Sequence, residues 1–390
     1  MIDDVVGWLN ERWPEIHCRR PLLTTGMAAG LYRNSPKVVL VLFDESGAAG
    51  AVVKTARRPG AEASLEAEYE ALHRFARLGC RSVLRDAPKP LALGRVRGHL
   101  VLALSVVPGT PMTAKYYAAG YTSNPRRVAR DFTAAGMWLS RFQQETTRGY
   151  VTLDSKSIPS LVADVIDRYR EDIGWSAEED RLFRAVVRRA VGLRGTTIPL
   201  VGVHGDFWMG NLLVEGGQVR SVVDWELAQV TGLPFSDVFK FTTSYGLYLD
   251  RAYPGGNGTV PGHPGWKLAR DKWRAYGDWA NLTGFGYSYF GRGWFPALVR
   301  RYIEQHLAAL GIPPQLNSVF FPLFLAEQAM TLDDPVFRDG YRAALRGLSN
   351  EMEGTWLCKV NGFGARGRSV SSSPRDLKYR ASVPVSPDAS

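Results

Sequence analysis

Short apolar runs rich in β-branched residues dominate the first hundred residues, and beyond them the apolar positions recur every three or four. Val38 to Phe43 and Ala51 to Thr55 are two such runs joined through Glu45-Ser46-Gly47, which predicts a β-hairpin. From Glu62 to Leu78 the positions Leu65, Tyr69, Leu72 and Phe75 follow one another at helical spacing, so this stretch is expected to be an amphipathic helix. Leu100 to Val107 reads as a further strand, stopped by Pro108-Gly109. Helical periodicity then takes over through Val128, Phe132, Ala135, Leu139 and Phe142, and again in Leu161 to Ile173 and Leu182 to Leu193. A strand-rich part followed by a helix-rich part predicts an α+β fold of two lobes with a cleft between them. The expected boundaries are 1–107 for the first lobe and 108–360 for the second, with 361–390 as a tail. No internal repeat is evident.

The polar residues with chemical potential gather in the middle of the helical part. Ile198 to Val203 is a short apolar run that carries His204 and Asp206 to the end of a strand. Leu212-Leu213-Val214 and Val219 to Val223 flank Glu215-Gly216-Gly217-Gln218, and Gly-Gly between two such runs is a hairpin signal. Folding the chain at that turn returns Asn211 to the neighbourhood of Asp224. A neutral oxygen ligand and a carboxylate then share the open end of one hairpin, a donor set suited to Mg²⁺ on phosphate oxygens. Crowded carboxylates here require a neutralising cation. With Asn211 and Asp224 on the metal, Asp206 is left to accept a proton from an attacking hydroxyl, which is the chemistry of phosphoryl transfer.

His204-Gly205-Asp206, four residues, Asn211, then an apolar strand ending in Asp224-Trp225-Glu226 resembles the aminoglycoside phosphotransferase and choline kinase-like family of small-molecule kinases. Gly232-Leu-Pro-Phe-Ser-Asp237 extends the resemblance. It implies a protein-kinase-like fold with a small antiparallel-sheet lobe and a larger, mainly helical one. By the same resemblance Asp206 is the catalytic base, Asn211 and Asp224 bind magnesium, Asp237 is structural, and His204 braces the catalytic loop. It also implies that Lys54, in the second strand, contacts the nucleotide phosphates and is held by a glutamate on the following helix. That glutamate is expected to be Glu68, with Glu66 as a near competitor. Gly26-Met27-Ala28-Ala29-Gly30 is expected to be a loop whose backbone N–H groups, at Gly26 and Gly30, approach phosphate. Ala28 and Ala29 stand where the family commonly has a hydroxyl or amide, so those contacts are expected from backbone alone. The segment from Ser105 to Val107 is where the family hydrogen-bonds its nucleobase. Ser105 stands where an acidic residue is frequent, and ATP and GTP both remain open as donors.

Composition narrows the class further. The chain has 390 residues, 45% of them hydrophobic, enough for two cores. No run reaches the length of a membrane span, and Met1-Ile2-Asp3-Asp4 begins an acidic amphipathic segment instead of a secretory signal. Cys18, Cys80 and Cys358 are far apart and lack metal-ligand spacing, as expected for free thiols in a cytoplasmic protein. The net charge is +10, but the basic residues are dispersed and form no stripe interleaved with aromatics, so nucleic acid is not expected as a partner. Part of the excess sits in the Ser- and Pro-rich tail, which is expected to be disordered.

The acceptor pocket is expected within residues 240–360 by analogy with the family. That region holds Tyr245, Tyr248, Trp266, Trp273, Trp279, Tyr287, Tyr289 and Trp294. Arg251, Lys267, Arg270, Lys272 and Arg274 give it mixed charge, which disfavours a strongly cationic acceptor. The expected activity is transfer of the γ-phosphate of ATP or GTP, with Mg²⁺, to a hydroxyl of a sugar, amino alcohol or antibiotic-like metabolite. Two alternatives are a catalytically silent nucleotide-binding sensor or scaffold, and a kinase acting on a polypeptide. Absence of an Asp-Phe-Gly after the hairpin argues against the second.

Overall fold

Alternation of burial along the N-terminal strands decides what each face of the first sheet covers. In the computed structural model, which describes residues 2–16, 24–28, 37–57, 60–116, 118, 120–247, 282–331, 335–351 and 356, the strands β1 (Thr24–Ala28), β2 (Lys37–Phe43), β3 (Ala49–Ala56), β4 (Pro90–Val96) and β5 (His99–Ser105) form an antiparallel sheet of order β1-β2-β3-β5-β4. Leu40 and Leu42 of β2, Ala51 and Val53 of β3, and Val101 and Ala103 of β5 point to one face. There they bury Val5 and Leu9 of helix α1 (Ile2–Ile16). Leu100, Leu102 and Leu104 point to the other, against Leu65, Leu72 and Phe75 of α2 (Glu62–Arg77). By the same alternation Lys54, one residue after Val53, faces α2.

A short helix α3 (Arg81–Asp86) sits between α2 and β4, and the chain then leaves the sheet for a mainly helical part. Its order is β6 (Thr110–Pro111), α4 (Met112–Tyr116), α5 (Pro125–Glu145), β7 (Gly149–Thr152), a π turn (Pro159–Ala163), α6 (Asp164–Ile173), α7 (Ala177–Gly192), β8 (Thr197–Val203), β9 (Leu212–Glu215), β10 (Gln218–Val222), β11 (Gln229–Gly232) and α8 (Phe235–Leu247). After the undescribed residues follow α9 (Leu282–Phe290), α10 (Trp294–Ala309), α11 (Asn317–Thr331) and α12 (Pro335–Glu351). Two three-stranded antiparallel sheets, β10-β9-β6 and β11-β8-β7, carry the polar segment across this part. The architecture is the expected α+β, with a small antiparallel sheet formed by the first hundred or so residues and a larger, mainly helical part after it.

Several boundaries move for identifiable reasons. The helix predicted from Leu182 starts at Ala177, five residues early, because Ser176 and Glu179 form a reciprocal capping box. The strand expected to reach Val107 stops at Ser105, whose N–H donates to Lys89 O at 2.8 Å and whose Oγ accepts the Lys89 N–H at 2.9 Å. The expected Gly26-to-Gly30 loop is strand as far as Ala28, with Gly26 opposite Val41. Strands β4, β7 and β11 had no apolar run long enough to predict them. The chain divides into residues 1–359 and 360–390, and the tail expected to be disordered lies outside the described residues.

α10 is tied to α5 by a buried histidine. His306, 2% exposed, meets Gln143 Oε1 through Nε2 at 2.8 Å and Ser140 Oγ through Nδ1 at 3.1 Å. Burial holds its pKa down to about 4 from 6.5. The unfolded chain therefore binds a proton at this residue between pH 6.5 and 4 while the folded chain does not, so its contribution is whole above pH 6.5 and fades as pH falls toward 4. Urea unfolding of wild type and His306→Gln across that window should show the wild type losing its advantage as pH falls. A constant difference would contradict the neutral, buried assignment.

Candidate active site

β8 is buried along most of its length and leads directly into His204, 0% exposed. The backbone N–H of Asp206 donates to Nδ1 of His204 at 3.3 Å, so that nitrogen carries no proton. The proton is then on Nε2, which donates to Val223 O at 3.1 Å. Burial lowers the imidazole pKa to about 4, and the ring is neutral at physiological pH. His204 thus bridges the loop after β8 to the end of β10 as a neutral hydrogen-bonding strut.

The loop is gripped from below by α8. Asp237 in its first turn is fully buried and accepts the His204 N–H at 2.8 Å through Oδ2 and the Gly205 N–H at 2.9 Å through Oδ1. Burial pushes its carboxyl up to about 6 even against those two donors. Gly205 has φ +82°, and a Cβ there would lie 2.4 Å from Leu227 O, so no other residue fits without moving backbone.

β9 and β10 pair as the sequence predicts, across Gly216 and Gly217, both with the positive φ (58° and 78°) that a two-residue type I′ turn requires. At the open end Asn211 O accepts the Val223 N–H at 3.0 Å, which fixes Asn211 beside Asp224. Asn211 Nδ2 donates to Asp206 O at 2.9 Å and to Asp206 Oδ2 at 3.0 Å, turning its side-chain oxygen away from these contacts. Asp224 has φ +69°, a left-handed conformation that Asp tolerates better than most residues, and this turn aims its carboxylate back toward the sheet.

There it meets Lys54, whose Nζ donates to Asp224 Oδ1 at 2.9 Å and to both oxygens of Glu68 at 2.8 and 2.7 Å. Glu68 is fully buried, whereas Glu66 is exposed, so the helix settles the competition between them. Glu68 also accepts the Trp225 N–H at 3.4 Å. Burial works against the Lys54 ammonium, but Asp224 and Glu68 more than offset it and raise its pKa. Burial likewise opposes the Asp224 carboxylate, which Lys54 and Lys37 nevertheless hold far below the usual range. Lys37 at the start of β2 lies 3.6 Å from Asp224 Oδ1 and also pairs with Glu226. Sequence reasoning passed over Lys37, which precedes an apolar strand like any flanking lysine.

A second lysine was missed on α8. Lys240 Nζ lies 3.0 Å from Asp206 Oδ1 and donates to Gln328 Oε1 of α11 at 2.7 Å. Gln328 and Gly205 are also on the wall of a cavity of about 620 Å³ bounded by α6, β11 and α11, with Leu161, Val165, Leu233 and Phe324 among its apolar lining. Arg168 and Glu327, 3.9 Å apart, add opposite charges to that wall, and Asp172 joins them. The cavity draws on residues 161–172 and 203–236 as well as 320–331, so it extends beyond the 240–360 region expected to supply the acceptor site. Of the aromatics expected there, Tyr245, Tyr287 and Tyr289 are buried core, while Tyr248, Trp266, Trp273 and Trp279 lie outside the described residues. Ser105 ends β5 and spends its hydroxyl on Lys89, Val107 follows in the connection to β6, and Gly30 lies outside the described residues.

Residues 33–275 of the chain match the model of the phosphotransferase enzyme family. The chain belongs to that family. The match spans the Lys54–Glu68 pair, the His204-to-Asn211 loop, Asp224 and Asp237 together. Among solved structures, this phosphotransferase is similar to a macrolide 2'-phosphotransferase from Brachybacterium faecium, at 16% identity over 87% of this chain and 97% of that one, TM-score 0.43. It is also similar to a thermostable mutant of the aminoglycoside phosphotransferase APH(4)-Ia, at 13% identity over 87% and 98% of the two chains, TM-score 0.49. A third is the aminoglycoside phosphotransferase APH(3'')-Id from Streptomyces rimosus, at 14% identity over 89% and 99%, TM-score 0.38. No curated protein matches the chain. Among its described residues no helix is long and apolar enough to cross a membrane.

The two glutamates of α2 provide a direct check on the geometry. Glu68→Gln leaves Lys54 under-compensated in a buried setting and should cost about 3 kcal/mol, while Glu66→Gln should stay within about 0.5 kcal/mol of wild type. Chemical denaturation of the two variants reads this out, and equal effects would mean that Glu68 is not the partner of Lys54 in solution.

Proposed function

We propose that this phosphotransferase moves the γ-phosphate of ATP or GTP to a hydroxyl of a small molecule, with Asp206 as the base. The observation that carries the reading is the convergence of Asp206, Asn211, Asp224 and the Lys54–Glu68 pair, from four separate stretches of chain, beside the α2-facing side of β3 in the first sheet. In this reading Lys54 holds the α- and β-phosphates and Glu68 holds Lys54. The acceptor hydroxyl gives its proton to Asp206, its oxygen forms the new bond to the γ-phosphorus, and the bond to the β-phosphate oxygen breaks to release nucleoside diphosphate.

Asn211 and Asp224 fit a hard divalent cation. Asn211 has committed its amide N–H groups to Asp206, leaving a carbonyl oxygen as donor, and Asp224 is held ionised with both lysines on Oδ1. Mg²⁺ bound there would neutralise charge on the phosphate oxygens. His204 and Asp237 position the loop and touch neither phosphate nor acceptor in this reading. Ser105 to Val107 offers the backbone edge for the nucleobase, and the phosphate-covering role of Gly26 and Gly30 is retained as part of the proposal.

For the acceptor we take the cavity beside Gly205. Its wall combines apolar side chains with one cation, Arg168, and two carboxylates, of which Glu327 is paired with Arg168 and Asp172 is left, a balance that favours a neutral or weakly charged hydroxylated molecule over a polycation, which would need several unpaired carboxylates. The related structures include one complexed with ADP and hygromycin B and one with ADP and streptomycin, so aminoglycosides belong in the test as competitors.

Nucleoside diphosphate release should be followed against a panel of neutral amphiphilic polyols and polycationic aminoglycosides, with Mg·ATP and Mg·GTP. Turnover is expected with the neutral set. Asp206→Asn should keep nucleotide affinity and lose roughly 10²- to 10⁴-fold in turnover. Undiminished turnover in that variant would remove Asp206 from the mechanism, and a preference for polycations would remove the assignment of the cavity.

A further inference from the structure

A base placed next to a triphosphate poses an electrostatic problem, because a carboxylate and a γ-phosphate repel each other where water is scarce. Among the described residues Asp206 has one cation in contact, Lys240, at 3.0 Å from Oδ1. Oδ2 is taken by the Asn211 amide. Lys240 is itself held by Gln328 Oε1 at 2.7 Å, and its side chain is only 15% exposed, so the ammonium is fixed behind the carboxylate. Burial alone would favour the neutral amine, yet Asp206 keeps the group charged and its pKa raised.

The placement follows from the helix. Asp237 and Lys240 are three residues apart on α8, on one face. The first grips the backbone of the catalytic loop and the second grips its carboxylate. One helix therefore sets both the position and the electrostatic environment of Asp206.

Resting on the phosphotransferase reading above, we propose that Lys240 is a positioning residue that neutralises Asp206 toward the terminal phosphate, so that a triphosphate can occupy the site with the base ionised beside it. A diphosphate, which lacks the group facing Asp206, does not need this compensation. A lysine that merely tied α8 to α11 would affect both nucleotides alike.

The test is a calorimetric titration with the Mg²⁺ complexes of ADP and of its non-hydrolysable triphosphate analogue AMP-PNP, and of the guanine counterparts in parallel. For Lys240→Met the triphosphate analogue should bind about 10-fold more weakly while the diphosphate stays within about 2-fold of wild type. Lys240→Gln, which keeps a donor for Gln328 but no charge, should behave the same and serves if the methionine variant does not fold. Lys240→Arg should bind both nucleotides within about 3-fold of wild type, and adding Asp206→Asn to Lys240→Met should restore the triphosphate. Equal weakening of both nucleotides, no weakening of either, or no recovery in the double variant would overturn the role of Lys240. A wild-type protein that binds no purine nucleotide would instead overturn the phosphotransferase reading of the site, a result distinguishable from the others.

Discussion

The Lys54 ammonium is the constraint on which the centre of the molecule depends. It joins β3, α2 and the end of β10 through a single nitrogen, with Glu68 on one side and Asp224 on the other. A fully buried carboxylate such as Glu68 is tolerable only with a cation and further donors around it, and here the ammonium and the Trp225 N–H supply them. The consequence is geometric: the sheet and the helical part must approach until Lys54 reaches Asp224, which is the approach that forms the site.

Around this polar joint the packing is aromatic. Trp225, next to Asp224, lies against Phe75 of α2, Phe142 and Trp138 of α5, and His204, with ring centroids between 4.7 and 6.3 Å. These rings are large and rigid, so they hold the Asp224-Trp225 backbone and the His204 strut in one arrangement at little entropic cost. Asp237 completes the frame from beneath by satisfying two loop N–H groups that would otherwise be buried without partners. Position is thus decided by apolar packing and by backbone hydrogen bonds, while charge decides what the site can bind.

Much of this was readable along the chain where the signal is local. The β9–β10 hairpin follows from two β-branched runs around Gly216-Gly217, and its closure alone places Asn211 beside Asp224. Glu68 carried an unused signal: it lies three residues after Leu65 and four before Leu72, on the buried stripe of α2, whereas Glu66 is turned away by two residues, more than half a turn. Lys240 had a similar one, at helical spacing from Asp237. Lys37 had none, since its partners are 187 and 189 residues away, at Asp224 and Glu226.

The amino-acid order by itself determined the element types over most of the described chain, the hairpins, the family pattern and the identity of the polar residues at the centre, because each rests on a short-range periodicity or on a turn that only certain residues can make. Tertiary structure alone decided which cations face which carboxylates, where α6 and α11 enclose the cavity, and how a lysine on α8 comes to stand behind Asp206. Those pairings are set by the packing of elements distant in sequence, and burial selects among the many charged partners that the chain offers.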